Sequence, residues 1–372
     1  MPRANALRWL AVALLLGLAA AAIVAGLDRG PGPAGWPGDE NYGYRPDPQG
    51  VELFLAELPE PLFRQAGAET VREAKGVDTF LYRSAVRAHQ ARYGKAWVCE
   101  RQGIGDCVSW GWAHGVWIAQ AVDWETGRLA EPPAFPSTEA IYGGSRVEAR
   151  NKAEGTGGWS DGSYGAAAAR WVRDWGVIYR EKFDRYDLTN YSADRAKQWG
   201  NYGCGGQGDG GKLDAVAKKH PAQHIAMVST WAEAAAAIEA GFPIPVASMQ
   251  GFASQTDAQG YAAPSGQWAH EMCFVAVRYK KNGSPSDALL CLNSWGPKWI
   301  TYKGKFPADQ PEGSFWVTRP VVESMLRQKD SFAVGSVAGF GWRDLHNGNW
   351  LAPAPPETIA DWFAPFTFTL AP

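Results

Sequence analysis

Three short segments of the sequence carry side chains that together can perform nucleophilic catalysis. The first contains Gln102 and runs through Cys107 into a predicted helix. The second places His270 before an apolar strand, and the third places Asn293 at the end of another. A cysteine in the first turn of a helix feels the positive end of the helix dipole, which favours the thiolate. This combination of groups indicates a cysteine nucleophile.

Each group has a chemical role that its type allows. A thiolate and an imidazolium stabilise one another, since the charged form of each favours the charged form of the other. An asparagine oxygen can orient an imidazole by accepting its second N–H. A glutamine amide and the cysteine backbone N–H can donate to a developing oxyanion, and such a donor contributes roughly 3–4 kcal/mol.

The order of these residues resembles that of the papain-like cysteine peptidases. The most specific feature is the Asn-Ser-Trp-Gly segment that begins at Asn293, and Cys107 precedes His270 by 163 residues, against about 130–150 in the family. The resemblance implies Cys107 as nucleophile, His270 as general acid and base, and Asn293 as its orienting partner. It implies Gln102 as oxyanion donor and Trp295 as a shield over the hydrogen bond between His270 and Asn293. It also implies peptide-bond hydrolysis through a thioester, without metal or organic cofactor.

The sequence departs from the family pattern around the nucleophile. One residue fewer separates Gln102 from Cys107, and Ile104 stands where the family has a bridging cysteine. Glu271 follows His270 where alanine is usual. Asp106 is predicted to cap the helix, and its charge would oppose thiolate formation.

Substrate contacts are less well defined by the sequence. In the family, a Gly-Gly segment pairs with the substrate backbone, and either Gly157-Gly158 or Gly162-Ser163 matches it. We take Gly157, Gly158 and Trp295 as the candidate substrate-binding residues. The sequence does not identify the charge of the pocket that selects a substrate side chain.

An apolar run over residues 9–27 indicates a membrane anchor or signal peptide in residues 1–27. Its 19 residues would form a helix roughly 30 Å long, enough to span a bilayer core, whereas a cleaved signal usually has a shorter apolar core. Arg3 and Arg8 place the N-terminus in the cytoplasm. We therefore expect an extracytoplasmic protein, anchored by a single pass or secreted.

Composition excludes nucleic-acid binding as the main task. Lys and Arg number 36 against 38 Asp and Glu, which leaves no basic excess to neutralise phosphates. The expected partners are a peptide or protein substrate and, if residues 1–27 are uncleaved, the membrane.

The cysteines do not suggest a disulfide scaffold, because five is few for this length and odd. Cys273 and Cys291 lie on strands expected to be adjacent. If His270 and Asn293 meet, strand alternation turns these two thiols apart, so we expect them to be free and buried. A bridge between Cys99 and Cys204 remains open.

Element patterns predict an α+β fold, and the resemblance to the papain-like peptidases implies that it has two lobes. A helical lobe carries Cys107, a β-rich lobe carries His270 and Asn293, and the site lies in the cleft between them. The predicted organisation is listed by residue range: a Gly/Pro-rich linker over 28–50, an N-terminal extension over 51–95, the peptidase domain over 96–335 and a tail over 336–372.

Two other functions use the same residues. A catalytically inactive papain-like domain would serve as a binding module at the cell surface, and the absence of a long helical pro-segment is compatible with it. An amidase or acyl transferase acting on cell-wall peptides would use the same nucleophile.

Overall fold

The computed structural model describes residues 42–222, 224–335 and 339–345. The apolar run 9–27 and the tail beyond residue 345 lie outside the described residues, so the anchor or signal stays a prediction. Within the described ranges, no helix is long and apolar enough to cross a bilayer.

Helices and strands alternate unevenly along the chain, with most helices in the first half. The helices are α1 (Pro48–Ala56), α2 (Phe63–Ala66), α3 (Ala68–Glu73), α4 (Tyr82–Tyr93), α5 (Cys107–Glu125), α6 (Thr138–Arg146), α7 (Gly165–Asp174), α8 (Ala193–Tyr202), α9 (Lys212–Ala217), α10 (Trp231–Glu239) and α11 (Arg319–Leu326). The strands are β1 (Thr79–Phe80), β2 (Lys182–Phe183), β3 (Tyr186–Asp187), β4 (His224–Met227), β5 (Ile244–Thr256), β6 (Ala262–Arg278), β7 (Ala288–Leu292), β8 (Ser314–Thr318) and β9 (Phe332–Gly335).

The β-rich lobe is built on an antiparallel sheet of five strands. Its order is β1-β6-β7-β8, and β5 also pairs with β6. Within the ladder between β6 and β7, Cys273 lies opposite Leu292, and Phe274 lies opposite Cys291. The two thiols therefore do not face one another. All five cysteines of the chain are free and buried, which confirms the expectation for Cys273 and Cys291 and leaves Cys99 and Cys204 unbridged.

Helix α5 joins the two lobes. Every residue from Cys107 to Asp123 is buried, and the helix contacts α4, α6 and α7 as well as β5, β6 and β9. The buried indoles of Trp110, Trp112 and Trp117 fill the space around it. A helix that is apolar on all sides belongs in an interior. The first turn of α5, which carries Cys107, is therefore held where the helices meet the sheet, giving an α+β fold of two lobes.

The sequence patterns located most of these elements. The sequence predicts a helix around Tyr82–Tyr93, which is α4 with the same bounds. It also predicts an apolar strand over Glu271–Tyr279, which corresponds to the second half of β6. The segment 51–95, assigned to an extension, packs into the same hydrophobic core as the peptidase segment through Phe54, Phe63 and Leu81.

Residues 42–50 differ from the linker that their composition predicts. Tyr42–Arg45 contact residues of both lobes, and α1 begins at Pro48. The Asp47 side chain accepts a hydrogen bond from the backbone N–H of Gly50 (3.0 Å). An aspartate followed by proline at the first helical position is a helix-start signal, which the Gly/Pro-rich composition obscured.

A glycine at the contact between α6 and α7 provides a test of this packing. A Cβ on Gly144 would lie 2.1 Å from the buried ring of Trp171. We expect Gly144→Ala to lower the free energy of unfolding by roughly 1–3 kcal/mol, as overpacking does, despite the higher helix propensity of alanine. Chemical denaturation measures this. Gly341→Ala is the control, because a Cβ there meets nothing within 4 Å. Equal stability of the two variants would contradict the packing.

Candidate active site

A hydrogen bond between His270 and Asn293 fixes the imidazole. Strand β6 carries His270, and the chain leaving β7 at Leu292 brings Asn293 back to it. The ring Nε2 and the Asn293 Oδ1 are 2.7 Å apart, and the same Oδ1 accepts from the backbone N–H of Ser294 at 2.7 Å. The other ring nitrogen, Nδ1, is buried with no hydrogen-bond partner among the described residues. The bond at Nε2 thus orients the ring, and Nδ1 is left without a hydrogen bond.

The thiol of Cys107 lies against the strand that carries the imidazole. The backbone N–H of Glu271, the residue after His270, donates to Cys107 Sγ at 3.4 Å. The first turn of α5 and the middle of β6 therefore meet at the thiol. The structure bonds His270 to Asn293 and places the Cys107 thiol against Glu271, the residue after His270. The chemical roles of these residues stay predictions.

Gln102 links the segment before α5 to the segment after β7. Its Nε2 donates to the Ile104 carbonyl at 2.9 Å, and its Oε1 accepts from the Ser294 hydroxyl at 2.7 Å. Its backbone N–H donates to the Ser294 carbonyl at 2.8 Å. The side-chain amide is buried, and both its nitrogen and its oxygen are hydrogen-bonded. Its position is therefore fixed despite the shorter spacing to Cys107.

An aromatic cluster covers the imidazole. The ring centroid of Trp295 is 4.5 Å from that of His270, and the ring of Trp268 lies 4.7 Å from Trp295. Tyr42 approaches both His270 and Trp295 edge-on. Because these rings exclude water, they strengthen the hydrogen bond to Asn293 electrostatically. The sequence indicated Trp295 in this position and gave no signal for Tyr42.

Asp106 does not cap α5 with its side chain, contrary to expectation. Its Oδ2 instead accepts a hydrogen bond from the Tyr191 hydroxyl at 3.0 Å. Burial raises the pKa of the Asp106 carboxyl well above its ordinary value, although the bond from Tyr191 opposes the rise. After burial and Glu271, the charge of Asp106 is a further cause that raises the pKa of the Cys107 thiol, as the sequence predicted.

Residues Tyr42–Arg45, which we call the cover segment, lie over the thiol. The backbone N–H of Tyr44 donates to the Ala269 carbonyl at 3.1 Å. On the other side, the Ser163 N–H donates to the Gly43 carbonyl at 2.7 Å, and the Arg45 N–H donates to the Ser163 carbonyl at 2.8 Å. The cover segment thus bridges the residue before His270 and a loop of the helical lobe.

The loop at Gly162-Ser163, rather than the loop at Gly157-Gly158, pairs with the extended cover segment. Gly158 N–H donates to the Asn201 side chain at 2.8 Å, and the Gly157 carbonyl accepts from Arg146 at 3.0 Å. Ser163, by contrast, pairs directly with the cover segment. The sequence offered both loops, and only the folded position of the cover segment separates them.

The covered site holds neutral groups. Cys107 and His270 are both 0 % exposed. Burial raises the pKa of the Cys107 thiol, and the backbone hydrogen bond from Glu271 only partly offsets the rise. Burial also lowers the pKa of His270 to about 4, against the opposing effect of Asn293. At neutral pH this conformation therefore carries a thiol and a neutral imidazole rather than an ion pair.

Solved structures of other proteins share this architecture. The chain is similar to xylellain, a cysteine protease from Xylella fastidiosa, with 14% sequence identity over 81% of this chain and 97% of that chain, and a TM-score of 0.51. It also aligns with the digestive procathepsin L 3 of Tenebrio molitor larval midgut at 15% identity, over 77% of this chain and 79% of that one, with a TM-score of 0.44. No protein-family model and no curated protein matches the chain. The likeness to xylellain shows that the chain has the papain-like fold.

Displacing the cover segment should expose the thiol. A Cβ on Gly43 would lie 2.0 Å from the Gly105 carbonyl oxygen. In Gly43→Ala, overpacking destabilises the covered conformation by roughly 1–3 kcal/mol and leaves the open one unaffected. The open conformation is then more populated, so we expect alkylation of Cys107 to be about 5- to 150-fold faster at neutral pH. Mass spectrometry of iodoacetamide-treated protein measures the rate. Gly341→Ala is the matched control, and an unchanged rate in Gly43→Ala would contradict the covering role.

The pH dependence of alkylation should change with the same substitution. Burial is the largest cause of the raised Cys107 pKa, and exposure removes it. A lower thiol pKa means more thiolate at a given pH, and the thiolate is the reactive species. We therefore expect the midpoint of the rate against pH to be alkaline for the native chain and to move to lower pH in Gly43→Ala. Coincident midpoints would contradict this account of the pKa.

Proposed function

We propose that the chain is a papain-like cysteine peptidase that hydrolyses peptide bonds through a thioester intermediate. The observation that carries the proposal is the geometry of His270. One ring nitrogen is bonded to Asn293, and the other is buried without a partner beside the strand residue that contacts Cys107. The nitrogen without a partner is the group that would take a proton from the thiol, while the bond to Asn293 keeps the ring fixed.

The proposed reaction has two halves. The Cys107 thiol loses its proton to His270, and the sulfur attacks the peptide carbonyl carbon. The oxyanion that forms accepts hydrogen bonds from Gln102 and from the Cys107 backbone N–H. His270 then protonates the leaving amine, which leaves a thioester on Cys107. Water, deprotonated by His270, cleaves the thioester and returns the free thiol.

Catalysis in this proposal requires the cover segment to leave the thiol. The peptide substrate then takes its place against Ser163 and Ala269, whose backbone groups already bond to an extended chain. Water entering the opened site removes the burial that holds Cys107 and His270 neutral, and the thiolate–imidazolium pair becomes favourable. The extracytoplasmic location is part of the proposal and is supported by the apolar run 9–27.

Substitutions at the proposed catalytic residues should separate their roles. We expect Cys107→Ala or His270→Ala to lower kcat/KM for a cleaved peptide by roughly 10⁴- to 10⁶-fold, as loss of a nucleophile or base does in related chemistry. Gln102→Ala should lower kcat by about 10²- to 10³-fold, because it removes one oxyanion donor. Peptide hydrolysis by the full chain is the measurement. Cys291→Ala, which changes another buried cysteine, is the control and should retain activity.

The same assay distinguishes the alternatives. A peptidyl epoxide that labels the native chain and not Cys107→Ala supports a competent nucleophile. If Gly43→Ala exposes the thiol but neither labelling nor hydrolysis occurs, the peptidase proposal is wrong and a binding module remains. Cleavage of cell-wall peptides but of no member of a general peptide library would instead identify an amidase of narrow range.

A further inference from the structure

The side chain of Tyr44 fills a pocket beside the candidate active site. Its backbone is pinned between Ala269 and Ser163, and only 6% of the residue is exposed. The backbone of the neighbouring residue, Gly43, lies close enough to the Cys107 thiol to lower its pKa. The pocket that holds Tyr44 is therefore one residue along an extended chain from the thiol. A peptide that replaces the cover segment would insert a side chain at the same place.

Two buried carboxyl groups face this pocket. After burial itself, the charge of Asp330 does most to raise the pKa of the Tyr44 hydroxyl, and the charge of Glu271 raises it further. The exposed fractions of Asp330 and Glu271 are 2% and 1%. The two carboxyls also act on one another, because Asp330 raises the pKa of Glu271 beyond the effect of burial.

These carboxyl oxygens lack well-formed partners. Neither oxygen of Asp330 and not the Oε2 of Glu271 has a hydrogen bond of good geometry to any described residue. A buried polar group without a partner costs roughly 1–3 kcal/mol, and more when charged. Tyr44 brings a single O–H donor to three such oxygens. Arginine brings five N–H donors and a charge, and lysine brings three donors and a charge.

Asp330 is well placed to carry a negative charge once a cation enters. It lies against Gly165 at the start of α7, where a Cβ on the glycine would come within 2.4 Å of its Oδ1. Burial raises its pKa to about 7 in the covered state, while the backbone N–H groups of Gly165 and Ala166 act to lower it. An incoming guanidinium adds an attraction to the ionised form, which removes the remaining penalty.

We infer that the pocket occupied by Tyr44 selects a basic substrate side chain, arginine or lysine, through Asp330 with Glu271 beside it. The inference rests on the proposed peptidase function, and it names the substrate class of that site. Neither residue is a catalytic residue; Asp330 determines specificity by contacting the substrate side chain.

Binding of matched peptides to an inactive chain tests the pocket without catalysis. Fluorescent peptides that differ only by arginine or leucine at one position are titrated into the full-length Cys107→Ala protein, and each position of the peptide is scanned. Both peptides of a pair must displace the same cover segment, so the free energy of displacing it cancels from the ratio of their affinities. We expect arginine to bind about tenfold more tightly than leucine at one position, equivalent to about 1.4 kcal/mol.

Asp330→Asn on the Cys107→Ala background should bring that ratio close to one, because the amide keeps the shape and loses the charge. Glu60→Gln, at an exposed carboxyl, is the matched control and should leave the ratio unchanged. Melting temperatures verify folding, and Asp330→Ser replaces Asp330→Asn if the latter does not fold. Equal affinities at every position, or an arginine preference that survives loss of Asp330, would overturn the inference.

Hydrolysis by the chain with Cys107 intact separates this result from the proposed function. Arginine-selective binding without hydrolysis of any peptide would support the inference about the pocket and contradict the proposed peptidase function. Hydrolysis without arginine selectivity at any position would support the proposed peptidase function and contradict the inference about the pocket. When both hold, kcat/KM follows the same arginine preference as binding.

Discussion

The hydrogen bond from His270 to Asn293 is the interaction on which the site depends. It joins the middle of one strand to the residue just after its neighbour, so it exists only if β6 and β7 pair in a single register. A slip of one residue would turn His270 to the opposite face of the sheet. The ladder that opposes Cys273 to Leu292 therefore does more than stabilise the lobe. It decides which imidazole nitrogen is held and which one remains for the thiol at the start of α5.

Much of this arrangement follows from the sequence because it rests on local signals. Helix α4 and the second half of β6 were located by periodicity, and the Asn-Ser-Trp-Gly segment indicated the partner of His270. The residues that sequence reasoning missed act through long-range contacts. Gly43 and Tyr44 lie in a stretch whose glycines and prolines are typical of a linker, and nothing local indicates that the stretch returns to the cleft. The sequence left the choice between Gly157-Gly158 and Gly162-Ser163 open for the same reason.

The sequence also did not predict that two carboxyl groups lie beside Tyr44. Glu271 was noted as a departure from the family pattern, but its partner Asp330 is 59 positions away in the chain and follows α11. Their proximity to one another and to Tyr44 arises only when β6, the start of α7 and the segment before β9 come together. No local pattern records a pocket whose charged residues are so far apart in sequence.

Burial of Cys107 has a consequence for the chemical survival of the protein. Oxidation to sulfenic and higher acids proceeds from an accessible thiolate, and the covered conformation offers neither accessibility nor charge. The other four cysteines are likewise buried and unbridged. In an oxidising compartment the covered conformation exposes no cysteine sulfur to peroxide or to disulfide exchange, so oxidation of Cys107 would begin only once the cleft opens.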